Sequence, residues 1–144
     1  DPARKAQIGA YYAQVWQEYR NMPYAIHQLH RGTGNTELES SQERSTDSAE
    51  YLAANIGRVP VLMIPCVAGR TDMPGAGDLL GQASLFGSIM PAAWSFMLAA
   101  RARGIGSAWT TLHLRHERAI AELLGIPYQY FMQVALIPLA YTKG

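Results

Sequence analysis

The sequence has a single cysteine and almost no net charge. Its twelve basic and eleven acidic residues are dispersed, leaving a charge of +1 at pH 7, so no basic patch indicates a nucleic-acid surface. Cys66 alone cannot form an internal disulfide or a cysteine metal site. Its apolar setting predicts a small buried side chain rather than a reactive thiol. We predict no nucleic-acid partner and a cytoplasmic location.

Long hydrophobic runs are also missing. No uninterrupted apolar run approaches the ~18 residues of a membrane-spanning helix, and no signal-like segment precedes the first helical pattern. We therefore predict no membrane association. The composition, 49% hydrophobic and 16% charged, instead fits one globular core, so residues 1–144 are predicted to form a single domain.

Several motifs of catalysis and metal binding are absent. The pairs His27/His30 and His113/His116 have no carboxylate or cysteine at ligand spacing, so no metal site is predicted. Glu122 and Glu117 are expected on a solvated helix face rather than as an acid/base pair. The sequence has no P-loop and no nucleophile motif of the Gly-x-Ser-x-Gly type.

The first helix is predicted from its cap and its period. Asp1 is a typical N-cap, and Pro2 suits the first helical position, where its missing N–H has no partner. Apolar and aromatic residues then recur at helical spacing as far as Asn21. The predicted apolar face consists of Ile8, Tyr11, Tyr12, Val15, Trp16 and Tyr19.

Residues 24–46 show no period and include a polar run. Long loops in compact domains are usually functional or disordered, so we predict a flexible loop or flap here. A short helix follows from Ser48 to Ile56, with Tyr51 and Leu52 directed inward. Residues 59–67 are nearly all apolar, which predicts a strand covered on both faces, interrupted by two prolines.

A long apolar helical pattern runs from Gln82 or Ser84 to Arg103. Pro91 inside it predicts a kink or the true first turn. Apolar residues occupy most of its circumference, which predicts a helix buried on several sides. In so short a chain a second subunit supplies that burial most economically, so we predict a homodimer.

The last third of the chain alternates turns with short elements. Gly104 should end the long helix, and residues 107–113 should form a strand. A short amphipathic helix at 115–125 ends at Gly125, and residues 131–141 form a final strand. The fold class is therefore α+β, with helices packed on a small mixed or antiparallel sheet. Gly104 and Gly106 follow a helix and precede a strand, the reverse of the Rossmann dinucleotide fingerprint.

Three motifs in this order resemble the C-terminal half of the nitroreductase family of FMN enzymes. They are ARARGIGSAWTT at 100–111, ELLGIP at 122–127 and IPLAY at 137–141. Residues 59–66 (VPVLMIPC), preceded by the helix at 48–56, resemble the family's preceding strand. The likeness covers about Ser45 to Tyr141 and implies a nitroreductase-like fold.

The resemblance also implies a cofactor site. In the family, the strand after the glycine turn lies along the isoalloxazine ring, which places Trp109, Thr110, Thr111 and Leu112 at FMN. Their backbone N–H groups would tune the electronics of the ring, and the flavin would carry the chemistry. Ser107 and Ala108 would lie one layer further out.

The long helix implies a second, less direct contact with FMN. Its residues 87–91 match the family's dimer-core helix, with Ser88 and Ile89 near the partner's flavin. No side chain is predicted to be a required acid or base.

One family feature is not matched. The family binds the FMN phosphate with an Arg-rich N-terminal motif, and this sequence is predicted to begin after it; Lys143 is a possible remnant of a second basic position. Losing charge-assisted contacts of roughly 1.5–3 kcal/mol each would weaken FMN binding by orders of magnitude. The domain is thus expected to be an incomplete, N-terminally truncated one, in which FMN is weakly held or absent.

Three functions remain open. The leading one is an FMN-dependent oxidoreductase that passes hydride from NADH or NADPH to nitroaromatics, quinones or similar planar acceptors. The second is a non-catalytic dimeric module of the same fold without a competent phosphate site. The third is a flavin enzyme of related fold with other chemistry, such as dehalogenation or flavin fragmentation.

Overall fold

The computed structural model describes residues 1–72 and 77–141. It divides into two compact units, residues 1–58 and 59–144. That residues 1–144 form a single domain stays a prediction.

The first unit is helical. Helix α1 spans Pro2–Arg20, and the Asp1 carboxylate accepts hydrogen bonds from Ala3 N (2.8 Å) and Arg4 N (3.3 Å), as predicted for an N-cap. Helix α2 spans Thr36–Asn55, and a 3-10 turn at Ile56–Arg58 follows it. Four of the six predicted inward residues of α1 are buried, and Tyr11 and Tyr19 are half-buried. The four are Ile8, Tyr12, Val15 and Trp16.

Helix α1 packs on the 3-10 turn through two glycines. A Cβ built on Gly9 would lie 2.7 Å from the Cα of Gly57, closer than real atoms approach. The two backbones therefore meet directly, and only a residue without a side chain fits at position 9. This contact fixes the end of α2 against the middle of α1.

The prediction of a loop over residues 24–46 is wrong for its second half. Residues 36–46 belong to α2, which Asn35 caps by accepting from Leu38 N at 3.1 Å. The apolar period is missing because only Ala53 of this helix is buried. Tyr51 of α2 was predicted to point inward, but it is 73% exposed. Residues 24–35 form successive turns, and their role as a flap stays a prediction.

The second unit contains two small antiparallel sheets. Strands β1 (Val61–Met63), β3 (Ile105–Ser107) and β5 (Ile137–Tyr141) form one sheet in the order β1-β5-β3. Strands β2 (Cys66–Ala68) and β4 (Phe131–Gln133) form the other. The α+β class and the small antiparallel sheet are confirmed.

The two sheets explain the prolines that interrupt the apolar run at 59–67. Pro60 precedes β1, and Pro65 lies between β1 and β2. Both prolines thus lie outside these two strands, which fits the inability of proline to donate a backbone hydrogen bond to a neighbouring strand. The single strand predicted there is in fact two strands in different sheets. The strand predicted at 131–141 divides in the same way.

Helix α3 spans Leu79–Arg101 with Pro91 in its interior. Ala93 packs against Ala135 and Ile137, and half-buried Met63, Met97 and Leu139 surround this core. Beyond that contact the helix is largely exposed, so the predicted burial on several sides is not found within one chain. Exposed apolar side chains of α3 are Leu79, Leu80, Met90, Trp94, Phe96 and Leu98.

Helix α3 is also long and apolar enough, by length and composition, to cross a membrane; among the described residues no other helix meets that test. The uncharged stretch from Leu79 to Ala100 was missed because small polar residues interrupt its apolar runs. Its alanines pack on a sheet, however, and an open sheet edge cannot lie in hydrocarbon because its backbone groups would be unpaired.

Candidate functional site

The segment after α3 begins at a glycine turn. Gly104 has φ +75°, a conformation that glycine adopts without steric cost, and it lets the chain reverse into β3. Strand β3 pairs with β5 in the register Ile105↔Tyr141 and Ser107↔Leu139. The helix itself ends at Arg101 with Ala102 as its C-cap, so the end predicted at Gly104 is three residues too late, although Gly104 does form the turn.

The strand predicted at 107–113 is mostly wrong. Strand β3 ends at Ser107, and Thr110 then makes an isolated bridge with Leu136, with N···O distances of 3.1 and 2.8 Å. A 3-10 helix follows at Leu112–His116. Thr111 precedes it with φ −129° and ψ −1°, which takes the chain out of the extended conformation. Of the four predicted site residues, Thr110 forms the bridge and Leu112 begins the 3-10 helix. Trp109 and Thr111 lie on either side of Thr110.

Backbone amides of this segment are available to a ligand. The N–H of Thr110 is used by Leu136, so Thr110 holds the segment in place. Within residues 1–72 and 77–141, no acceptor lies at the amides of Trp109, Thr111 or Leu112. The first amides of a helix lack partners within the helix, which explains Leu112. Three donors therefore flank one bridge.

One of these three residues, Trp109, also lines an apolar groove. Met90, Pro91 and Trp94 of α3 and Trp109 line a groove of about 520 Å³. The Trp109 side chain is 36% exposed and that of Trp94 is 58% exposed. Two indoles next to unpaired backbone donors form a site for a flat ring with a polar edge, since aromatic faces bind apolar surface and amides bind its oxygens and nitrogens.

The other two predicted residues, Ser88 and Ile89, do not line this groove within one chain. The Ser88 hydroxyl donates to Leu85 O at 2.9 Å, back onto its own helix, and Ile89 is half-buried. Their predicted contact is with the flavin of a second subunit, and it stays a prediction. Lys143 lies outside the described residues.

A second apolar groove of about 340 Å³ lies between α3 and the sheet. Arg103, at its edge, donates to Ala99 O at 2.9 Å. A shallower one of about 210 Å³ lies beside β3 and β5. Neither includes Trp109 or the free amides, so the indole-lined groove remains the candidate site.

The sequence did not predict that Arg70 is buried and contacts Glu117, which directly follows the 3-10 helix. The Arg70 guanidinium, only 2% exposed, contacts Glu117 through Nη1–Oε1 (3.1 Å) and Nη2–Oε2 (2.6 Å). It also contacts Asp72 through Nε (2.9 Å) and Nη2 (2.8 Å) and lies 3.8 Å from the centre of the Tyr128 ring. The hydrogen bond with Glu117, followed by that with Asp72, raises the pKa of Arg70. The hydrogen bond from Arg70 lowers the pKa of Asp72.

Glu117 is accordingly not on a solvated face, and that prediction is wrong. Its side chain is 11% exposed, and its Oε1 accepts from Gln133 N at 2.8 Å. Glu122 fits the prediction, because it is 68% exposed and pairs only with Arg118 of the same helix. Helix α4 (Glu117–Leu124) ends at Gly125, with φ +74°, as predicted.

His113 is fully buried in the 3-10 helix. Neither ring nitrogen has a hydrogen-bond partner among the described residues, and burial lowers the pKa of His113 to about 4. The imidazole is therefore neutral near pH 7 and acts as an apolar filler. In the part of the chain that the structure describes, no group of three or more potential metal ligands occurs.

Cys66 is half-buried rather than fully buried. Its Sγ donates to Ile64 O at 3.5 Å. Burial, together with the negative charge of Glu117, raises the pKa of its thiol. A raised thiol pKa leaves little thiolate at neutral pH, which supports a structural role.

The mixed α+β fold thus carries a segment with free amides, and Trp109 of that segment lines an aromatic groove. The comparison with family models then gives the family: the nitroreductase model matches residues 4–141, and the chain belongs to the nitroreductase family. Members of this family are generally flavin-dependent oxidoreductases. The match also includes residues 21–44, directly before the predicted likeness of Ser45 to Tyr141. A search of curated proteins gave no match.

Proposed function

We propose that this chain is an FMN-dependent oxidoreductase that takes reducing equivalents from NADH or NADPH and passes them to a small planar acceptor, such as a nitroaromatic or a quinone. The observation that carries the proposal is the set of free amides at Trp109, Thr111 and Leu112 beside the indole-lined groove. Family membership supports the redox class.

When bound, FMN supplies the hydride chemistry, and the protein supplies binding and orientation. The amides of Trp109, Thr111 and Leu112 would donate to the polar edge of the ring. Trp94 and Met90 would cover its apolar surface and exclude water. Thr110, held by Leu136, would keep the donors in register. No residue of the groove is an acid or base, so protons would come from solvent.

Amide hydrogen exchange with added FMN tests this site. We expect FMN to slow exchange at Trp109, Thr111 and Leu112, which have no acceptor in the free chain. The amides of Gly125 and Ile126, at the end of α4, serve as a control and should not change. Slowing of the control segment alone, or no slowing at 109–112 at saturating FMN, contradicts the site.

Riboflavin is the matched ligand for the phosphate question. A charge-assisted phosphate contact contributes roughly 1.5–3 kcal/mol, which is about tenfold or more in affinity. If the 144-residue chain lacks such contacts, FMN and riboflavin should bind about equally. A strong preference for FMN would show that basic residues of this chain do hold the phosphate. Isothermal titration calorimetry measures both affinities.

We also propose that the exposed face of α3 packs against a second copy. Its support is the row of exposed apolar side chains and the small residues Gly87 and Ala92 beside them. Ser88 and Ile89 would then approach the partner's cofactor. Analytical ultracentrifugation should show a dimer without detergent. A monomer that sediments with lipid vesicles would instead indicate that α3 inserts into a membrane.

Turnover distinguishes the enzyme from a binding module. The enzyme should bleach bound FMN when NADH or NADPH is added and recover its colour with a quinone. A chain that binds flavin but shows neither change would be the non-catalytic module. A chain that converts a halogenated aromatic, or consumes the flavin itself, would belong to the third class. A cytoplasmic location remains part of the proposal and is tested by cell fractionation.

A further inference from the structure

Two cross-links join the amide-bearing segment to the chain around β4 and β5. The first is the bridge between Thr110 and Leu136, close to the free amides. The second lies at the end of the 3-10 helix, where Gln133 N donates to Glu117 Oε1 (2.8 Å) and Gln133 Nε2 donates to Glu117 O (3.0 Å). Together the cross-links fix both ends of the segment from Thr110 to Glu117.

The second cross-link depends on Arg70. A carboxylate that is 11% exposed is stable only with a charged partner and full hydrogen bonding. Arg70 provides both through a two-point contact with Glu117. Paired N–H···O bonds of this kind are strong and also fix the orientation of the carboxylate. Arg70 itself is held by the carbonyls of Tyr128 (3.0 Å) and Phe131 (3.1 Å). The carboxylate of Glu117 therefore has one position.

Between the cross-links lies one short 3-10 helix, Leu112–His116. Leu114 N donates to Thr111 O at 3.0 Å, but Thr111 makes no side-chain cap. The 3-10 helix is five residues long, and short 3-10 helices have poor hydrogen-bond geometry. The direction of the free amides is consequently set by the two ends.

We infer that Arg70 and Glu117 are positioning residues that set the direction of the free amides of Trp109, Thr111 and Leu112 toward the cofactor. The inference rests on the proposed function, because it assigns the amides to FMN. Asp72 offers a matched control: it pairs with the same guanidinium but is 52% exposed and makes no contact with the Glu117 cross-link.

The main experiment needs no cofactor. Hydrogen exchange is measured by NMR at the amides of Thr110, which is bonded to Leu136 O, and of Val134, which is bonded to Pro65 O at 2.9 Å. Glu117→Gln keeps the shape of the side chain and removes its charge. We expect it to lower the protection of Thr110 by about tenfold or more relative to Val134, since a charged hydrogen bond is lost. Asp72→Asn should leave this ratio unchanged.

Met97→Ala controls for a general loss of stability. Met97 packs on the core around Ala93 and Ile137, so its truncation should lower the protection of Thr110 and Val134 together. Equal lowering of both amides by Glu117→Gln as well would overturn the inference. Arg70→Lys keeps the positive charge but loses the two-point contact, and it provides the same test if Glu117→Gln does not fold.

FMN then links the result to function. In the loaded protein, Glu117→Gln should weaken FMN binding and shift the visible absorption maximum of the flavin, because the donors near the ring have moved. Met97→Ala should leave that maximum unchanged. If the unchanged chain binds no FMN, the proposed function fails, while the exchange ratio still decides whether Glu117 holds the segment. A changed ratio with an unchanged spectrum would overturn the assignment of the amides to the cofactor.

Discussion

Helices α1 and α3 are similar in length, at 19 and 23 residues, but differ in how their apolar side chains are used. Helix α1 buries Ile8, Tyr12, Val15 and Trp16 to 5% exposure or less. Helix α3, the more apolar of the two, buries only Ala93 and Ala100. The large side chains of α1 stabilise the single chain, and those of α3 are free to stabilise something outside it.

The comparison teaches that apolar composition does not say which surface a helix will bury against. Both helices were predicted from period and composition as core or interface elements. In α1 the aromatic residues Tyr12 and Trp16 lie inside, whereas α3 buries only the alanines Ala93 and Ala100 and leaves most of its large apolar side chains exposed. A patch of large exposed apolar residues is typical of an interaction surface, which supports the proposed homodimer.

The largest expected effect on stability comes from substituting a tryptophan in each helix, Trp16 in α1 and Trp94 in α3. Trp16→Ala should lower the free energy of unfolding by about 3–5 kcal/mol, the usual cost of emptying a buried aromatic site. Trp94→Ala should change it much less at low protein concentration, because Trp94 is 58% exposed. Urea denaturation measures both, and sedimentation should show weaker dimers only for Trp94→Ala. Equal losses in dilute solution would contradict the comparison.

A buried imidazole in the second unit predicts a pH effect that α1 does not share. The pKa of His113 is about 4 in the folded chain and about 6.5 when unfolded. Between these values the unfolded chain binds the extra proton, so stability falls as pH decreases from about 6.5 to 4 and levels off below. The loss is at most about 3 kcal/mol.

Denaturation at pH 7 and pH 4.5 measures this loss. His113→Leu should reduce the difference between the two pH values, whereas Trp16→Ala should keep the difference seen in the unchanged chain. A His113→Leu variant with the full difference would show that other groups cause the pH dependence.

Gly9 in α1 tests the close contact of the first unit. Gly9→Ala places a methyl group 2.7 Å from Gly57 Cα, and the backbones must separate, at a cost of about 1–3 kcal/mol. Thermal unfolding should show a lower midpoint, even though alanine favours a helix more than glycine does. An unchanged or raised midpoint would mean that the two backbones adjust without cost.

Gly87 in α3 is the matched position and predicts the smallest effect. Nothing lies within 4 Å of a Cβ built there, so Gly87→Ala should stabilise the isolated chain by up to about 1 kcal/mol through helix propensity. The same methyl group should weaken the dimer if a second backbone packs at Gly87. The free energy of unfolding in dilute solution and the dimer dissociation constant should therefore both increase.

Local signals in the sequence predicted the element ends well. The Asp1 cap, the turns at Gly104 and Gly125 and the prolines at 60 and 65 each act through neighbouring residues, and all lie where predicted. The part of helix α2 before Ser48 was missed because its polar residues give no period. Thr46 and Ser48 satisfy their hydroxyls on the carbonyls of Gln42 and Arg44, which lets them lie inside a helix.

Long-range contacts could not be predicted from the pattern. Arg70 meets Glu117 across 47 positions and Phe131 across 61, and no local period connects them. Glu117 therefore looked like one of many helix carboxylates. Its place directly before an apolar helix, as the first residue of α4, was the one available signal. Of the predicted site, the segment at 109–112 was located by resemblance, and its free amides became visible only in the structure.

Pro91 gives α3 a point of mechanical weakness at the mouth of the groove. A proline has no N–H, so the carbonyl of Gly87, one turn earlier, loses the bond that would close the helix there. The helix therefore lacks one backbone hydrogen bond close to Met90 and Pro91, which line the groove together with Trp109. Bending at this joint would widen or narrow the opening without unfolding either end, and the width of the opening would decide how bulky a molecule could enter.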